Sequence, residues 1–212
     1  QDTRMIGRAA MVPVLEPSDS QDAKDYMIAG FEISEKYDTP VILRTTTRLS
    51  HSQGLVELND RIERETIPYK RKWNKFVVVP GNMKPRHIVV EENLKRLSED
   101  ASSMSVNNVE YKDTSLGFIT CGIAYQYVKE VCPDASILKL GLVNPLPTSL
   151  IKEFCQKVDR VIVFEELEPV IEEQVRALGY KVEGKELFTR QGEYSSNMLR
   201  KALGIDIKMS DT

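Results

Sequence analysis

Three short, mostly apolar runs, Leu116–Thr120, Ile137–Leu140 and Val161–Phe164, recur with a helix-period segment after each. No other feature constrains the fold as much. A chain that lays parallel strands side by side must cross back between them, and a helix of this length does so. Apolar residues fall at helical spacing in each crossover: Ala124, Tyr127, Val128 and Val131, then Ile151, Phe154 and Val158, then Val170, Ile171 and Val175. Pro133-Asp134 breaks the first helix. Asn144-Pro145-Leu146-Pro147 is a rigid bend, with Thr148 or Ser149 as the following cap, and Gly179 closes the third helix. Tyr180–Glu183 reads as a further short strand and Ser195–Gly204 as a last helix. The expectation is α/β: a mostly parallel, helix-covered sheet with right-handed crossovers.

A similar unit opens the chain. Val12–Pro17 is extended, because each proline disfavours the α region just before it. Ser18-Asp19-Ser20 offers helix caps, and Ala23, Met27, Gly30, Phe31 and Ser34 suggest one packed face of a helix from about 20 to 37. Asp38-Thr39-Pro40 stops it. Val41-Ile42-Leu43 suits a strand buried on both faces. Residues 53–75 are highly charged and read as a solvated connector, part of it helical. Phe76–Gly81 reads as a short strand, and Pro85 as the first residue of a helix whose stripe is Val90, Leu94 and Leu97. Asp100–Tyr111 is small, polar and weakly patterned, the best domain-boundary candidate.

Composition excludes several classes. The net charge is −3, so the basic footprint of a nucleic-acid binder is missing. Apolar runs reach about five residues, where a membrane span needs about twenty. Cys121, Cys132 and Cys155 form no C-x-x-C pair, which argues against a disulfide framework or a cysteine-held metal within the chain. A reducing, cytoplasmic setting is the simplest reading. No signal peptide opens the chain. It starts at Gln1 without an initiator Met, which suggests a fragment or a processed chain.

Ligands of open parallel sheets collect past the carboxyl ends of strands, and three stretches qualify. In Arg44–Ser52, Arg44 and Arg48 beside Ser50 and His51 are suited either to a carboxylate or phosphate or to a surface loop with satisfied charges. In Thr120-Cys121-Gly122, the glycine fits a tight turn and the thiol fits buried packing better than nucleophilic chemistry. Glu165, Glu166 and Glu168 complement a helix dipole, and an interface or structural role outweighs acid–base work.

Longer strings carry a resemblance. Val12-Pro13-x-Leu15-Glu16-Pro17-Ser18-Asp19-Ser20-Gln21 and Asp38-Thr39-Pro40-Val41-Ile42-Leu43-Arg44-x-Thr46-Thr47-Arg48-x-Ser50-His51-Ser52 lead. Phe76-Val77-x-x-Pro80, Arg86-His87, Asn144–Pro147 and Val163-Phe164-Glu165-Glu166-Leu167-Glu168-Pro169-x-Ile171-Glu172-Glu173-Gln174 follow. In order and over essentially the whole chain, these resemble the α subunit of indolepyruvate:ferredoxin oxidoreductases, of the 2-oxoacid:ferredoxin oxidoreductase family.

The resemblance implies an enzyme that uses thiamine diphosphate with Mg2+, decarboxylates aryl 2-oxoacids oxidatively onto coenzyme A, and passes electrons through 4Fe-4S clusters to ferredoxin. It implies a β subunit as partner, together with domains of the same subunit outside this chain, and neither nucleic acid nor membrane. Residues 1–75 would be the C-terminal part of a pyrimidine-binding domain, 76–112 a linker with a helix, and 113–212 a transketolase C-terminal-like domain. The family's G-D-G string and C-x-x-C-x-x-C segment are absent, as is the upstream half of the pyrimidine domain with its activating glutamate. The expectation is therefore an internal fragment, inactive alone, with no bound cofactor, no catalytic residue and no metal ligand of its own. Gln1, Asp2 and Arg4 match a cofactor-proximal family loop, and Arg44, Arg48, Ser50 and His51 hold the comparable place after the next strand. They would orient substrate carboxylate or cofactor. Glu165, Glu166 and Glu168 are the interface candidates. Two other readings stand beside this one. The first is a non-catalytic interdomain or subunit-docking module. The second is part of another 2-oxoacid oxidoreductase or of a transketolase-type enzyme, against which the strings at 165–174 favour ferredoxin coupling.

Overall fold

A computed structural model describes residues 2–63 and 65–207. Helix α1 (Thr3–Ala9) precedes strand β1 (Val14–Leu15), helix α2 (Ser20–Tyr37), strand β2 (Ile42–Leu43) and helix α3 (Thr47–His51). Further along come α4 (Trp73–Phe76) and α5 (Pro80–Asp100). The remainder is β3 (Asn108–Glu110), β4 (Asp113–Cys121), α6 (Ala124–Val131), β5 (Ala135–Leu140), β6 (Leu142–Asn144), α7 (Thr148–Lys157), β7 (Arg160–Phe164), α8 (Val170–Ala177) and α9 (Ser196–Leu203).

One sheet has the order β3-β5-β4-β7. β4 runs parallel to both β5 and β7, and β3 is antiparallel to β5 at the edge. The three predicted strands are β4, β5 and β7, with β4 between the other two. Alternation along them sorts side chains to two cores. Ile119, Leu138 and Val163 meet Ile151, Phe154, Ile171 and Val175 on one face. Phe118, Ile137, Ile162 and Phe164 meet Ala124, Val128 and Leu199 on the other.

The second sheet, β2-β1-β6, draws on both halves of the chain. β1 is parallel to β2 and antiparallel to β6. Val14 and Val143 point into the core shared with α7 and α8, whereas Leu15 and Leu142 point toward α2 and α5. The first unit is thereby joined to the second by backbone pairing as well as by packing. Asn107 fixes the join: its Oδ1 accepts from the amides of Gly141 and Leu142 at 3.0 and 3.1 Å. A Cβ on Gly141 would lie 2.2 Å from the carbonyl of Val106, so only glycine fits there.

Several expectations are corrected. Phe76–Gly81 is not a strand: α4 ends at Phe76 and α5 begins at Pro80, while Val78 and Val79 lie exposed with no neighbouring strand. Pro80, not Pro85, takes the first helical position, where a missing N–H costs nothing. Helix α2 buries Tyr26, Ile33 and Tyr37 and leaves Met27 and Phe31 exposed, because its aromatic face covers α5 and the sheet. β2 is a half-buried edge, not a strand covered on both faces. The Tyr180–Glu183 strand shrinks to a single bridge between Glu183 and Ile162. Within the weakly patterned 100–111 stretch lies β3, paired to β5.

Candidate functional site

Four residues that directly follow parallel strands converge. Glu16 follows β1, Arg44 follows β2, Gly122 follows β4 and Glu165 follows β7. The carboxyl ends of strands from both sheets therefore face one another, and α1 closes the space between them. The sequence builds this locally through Asp2, which caps α1: its carboxylate accepts from the amide of Arg4 at 3.0 Å. The cap turns the Arg4 side chain inward.

Arg4 is fully buried (0% exposed), and every nitrogen of its guanidinium is engaged. Nε donates to both oxygens of Asp2 at 3.0 and 3.2 Å, and Nη2 to Asp2 Oδ2 at 2.6 Å. Nη1 donates to Glu165 Oε2 at 2.6 Å and lies 3.8 Å from Cys121 Sγ. Nη2 also donates to the carbonyls of Glu166 and Glu168, at 2.6 and 3.0 Å. Glu165 faces two ways. It pairs with Arg4, and it accepts from the amides of Ile171 and Glu172 at 3.0 and 2.9 Å, holding the first turn of α8. A carboxylate at a helix N-terminus is favourably placed. Beside this pair, Arg44 Nη1 bonds Glu16 Oε1, and Arg44 Nε lies 3.9 Å from Asp2 Oδ1. Gly122 admits Glu16: its φ is +54°, and a Cβ there would lie 2.6 Å from Glu16 Oε1.

Burial and charge compete at each group. Burial pushes the Asp2 carboxyl up, but the hydrogen bond and charge of Arg4 and the charge of Arg44 prevail and hold it below the ordinary value. Burial is the largest influence on Glu165 and raises it, against Arg4 and the amides of Glu172 and Ile171. Arg4 stays charged: burial opposes this, but the carboxylates of Glu16 and Asp2 outweigh it. Burial, then the charge of Glu16, pushes the Cys121 thiol well up, so Cys121 sits here as a neutral packing group and not a thiolate nucleophile.

The sequence candidates separate into two places. Asp2, Arg4, Arg44 and Glu165 share the cluster. Glu166 is half-buried and accepts from the amide of Tyr194 at 3.0 Å. Glu168 is at the surface, paired with Arg190 at 3.2 Å. Arg48, Ser50 and His51 lie on or within α3 and stay outside the cluster: Arg48 pairs with Glu193 at 2.7 Å, Ser50 bonds Thr45 at 3.0 Å, and His51 is exposed. Gln1 lies outside the described residues. Two members went unnoticed in the sequence. Glu16 carries the same signal as Arg44, a charged residue directly after a short apolar strand. Lys185 donates to the carbonyl of Glu165 and to Tyr194 Oη, and nothing in its neighbours marks it.

Chemically, the cluster is fully engaged at Arg4 but not at Glu16, whose Oε2 is buried without a hydrogen-bond partner. Three carboxylates face two guanidiniums, and Arg4 has no donor left for a ligand. Among the described residues no group of three or more His, Cys, Asp and Glu side chains is placed to hold a metal ion. No described helix is long and apolar enough to cross a membrane.

No family model matches the chain. The chain is 38% identical over 212 residues to the indolepyruvate oxidoreductase subunit IorA of Archaeoglobus fulgidus, covering 97% of this chain and 34% of that protein. It is 38% identical over 221 residues to IorA of Pyrococcus abyssi, with 96% and 34% covered. IorA of Methanothermobacter thermautotrophicus is 36% identical over 222 residues, with 96% and 35% covered. The chain thus spans about a third of the length of these relatives. Among solved structures, a 2-oxoglutarate:ferredoxin oxidoreductase from Magnetococcus marinus, with 2-oxoglutarate, coenzyme A and succinyl-CoA bound, superposes with a TM-score of 0.63 at 16% identity. That match covers 91% of this chain and 41% of the other, and it shows a shared mixed α/β fold.

Proposed function

We propose that this chain, a relative of about a third of indolepyruvate oxidoreductase subunit IorA, belongs to an enzyme that oxidatively decarboxylates aryl 2-oxoacids such as indolepyruvate. The observation that carries this is identity of 36–38% along nearly the whole chain to IorA proteins. In this reading the acyl product leaves on coenzyme A, electrons pass through iron–sulfur clusters to ferredoxin, a β subunit completes the enzyme, and its setting is cytoplasmic. Residues 1–75 are the end of a pyrimidine-binding domain, 76–112 a linker and 113–212 a transketolase C-terminal-like domain.

The donor set of this chain does not fit thiamine diphosphate, Mg2+ or an iron–sulfur cluster by itself. The two inward arginines are committed to Asp2, Glu16 and Glu165, and the cysteines are separate and unpaired. The chain's share is positional. Arg4 clamps Asp2 against Glu165 and the 165–168 turn, and so fixes the strand ends of both units. The Asp2 loop and the Arg44 turn are then presented as rigid edges, and such support is what holds a reacting group in register.

The test is turnover by the complete subunit with its β partner. Indolepyruvate and coenzyme A should drive reduction of a low-potential dye, and 2-oxoglutarate should serve poorly. Absence of turnover with every aryl 2-oxoacid would sink the reading.

A further inference from the structure

Charge is unevenly spread along the chain. Residues 66–90 hold six cations, Lys70, Arg71, Lys72, Lys75, Lys84 and Arg86, and none of the chain's 32 acids. The net charge of −3 therefore conceals a basic segment in an otherwise acidic molecule. No residue of this segment is buried, and α5 sinks only Leu97, near its far end, into the core.

The segment gathers into one patch. The Tyr69 and Phe76 rings lie 6.0 Å apart, and Arg71 sits over the Trp73 ring at 4.4 Å. Asn82 donates from Nδ2 to the carbonyls of Val77 at 2.9 Å and Trp73 at 3.3 Å, which ties α4 to the first turn of α5. Lys75 and Arg86 both pair with Asp38. Lys70, Arg71, Lys72 and Lys84 are exposed and have no ion pair among the described residues. In their midst Tyr69 is 78% exposed, Trp73 62% and Val78 78%. Exposed rings and aliphatic groups among uncompensated cations suit an acidic protein surface with an apolar centre.

Residue type sets the kind of contact. Stable interfaces are depleted in lysine, and three of these four cations are lysines. An ammonium keeps its water and acts as a point charge, so it speeds encounter more than it tightens the complex. Weak, transient redox contacts are small interfaces of this kind.

We propose that the patch made by residues 69–72, α4 and the first turns of α5 docks a small acidic electron-carrier protein during turnover. This rests on the reading above, in which electrons leave on ferredoxin, and adds where that carrier is received. In that reading the clusters lie outside this chain, so the patch steers and holds the carrier and transfers no electron itself. None of its residues belongs to the buried cluster.

The complete enzyme with its β subunit tests this, with a fluorophore-labelled 4Fe-4S ferredoxin of acidic surface as the probe. In fluorescence anisotropy the wild-type dissociation constant should rise at least about tenfold between about 50 and about 300 mM salt. At the lower salt Lys70→Glu/Arg71→Glu/Lys72→Glu should raise it at least about tenfold, as like charges now meet. Lys152→Glu/Lys157→Glu on α7, outside the patch, should change it by less than about twofold. Reduction of a viologen dye by indolepyruvate and coenzyme A should be equal in wild type and the triple variant. No dye reduction by wild type sinks the reading of the enzyme, and the binding measurement still decides the patch. Ferredoxin affinity that ignores the triple reversal in an enzyme with intact dye reduction overturns the proposal. So does wild-type affinity indifferent to salt, which needs no variant. A triple variant that keeps ferredoxin but no longer sediments with phosphatidylglycerol vesicles, as wild type does, overturns it as well and gives the patch to a lipid surface.

Discussion

Arg4 and Arg71 both stand close to a helix start, yet one has lost all contact with water and the other is exposed. Arg4 has Asp2, Glu165 and two backbone carbonyls around it. Arg71 stacks on the Trp73 ring at 4.4 Å and is otherwise open to solvent. The difference shows where each region's binding partner resides. A buried guanidinium survives only when its partners are built into the same chain, because an unpaired charge in the interior costs several kcal/mol. An exposed one stays hydrated and needs no such partner.

The comparison breaks most sharply at Arg4. Arg4→Met strips the buried Asp2 and Glu165 of their shared guanidinium, and should cost about 3–5 kcal/mol in urea unfolding. The same substitution at Arg71 should leave folding stability within about 0.5 kcal/mol. Gly122→Ala comes next. It forces a side chain into the left-handed region against Glu16, and about 1–3 kcal/mol should be lost. Replacing the exposed Gly192, also at positive φ but with open space around it, by alanine should cost less, and the gap between the two measures the crowding at Glu16.

Acid separates the carboxylates of the cluster. Asp2 is held below its ordinary value, which is about 3.9 in an unfolded chain. Its contribution is complete above about pH 4 and is lost as pH falls through the lower, folded value. Glu165 is raised, so its sign is opposite: it favours folding while protonated and loses that contribution as pH rises through its folded value. Asp2→Asn should therefore flatten the fall in stability below about pH 4, and urea midpoints measured at successive pH values would show it. The smallest effect belongs to Arg48→Ala. This exposed pair with Glu193 is worth about 0–1 kcal/mol, and a loss in thermal unfolding as large as that of Gly122→Ala would show that α3 is tied to the cluster after all.

Much of the second unit was legible because its period is short and its strands are buried. Leu116–Thr120, Ile137–Leu140 and Val161–Phe164 are apolar at every other position or throughout, and each is followed by a helical stripe. The first unit was harder. Val41–Leu43 has the composition of a central strand and lies at an edge, because what covers a strand is decided by other segments. Phe76–Val79 has strand composition and finds no strand to pair with. At the site, Asp2, Arg4, Arg44 and Glu165 were marked by type and position, but nothing local revealed that they touch.

By itself the sequence settled the α/β class, the three parallel strands and the helices around them, since those follow from side-chain period and from caps within a few residues. Only the tertiary structure decided that β6 leaves the second unit to pair with β1, that Glu16 and Lys185 join the cluster, and that Arg48 and His51 do not. These depend on contacts between residues far apart along the chain, as between Arg4 and Glu165. No local pattern encodes such a meeting. It is fixed by which arrangement leaves the fewest buried charges unpaired.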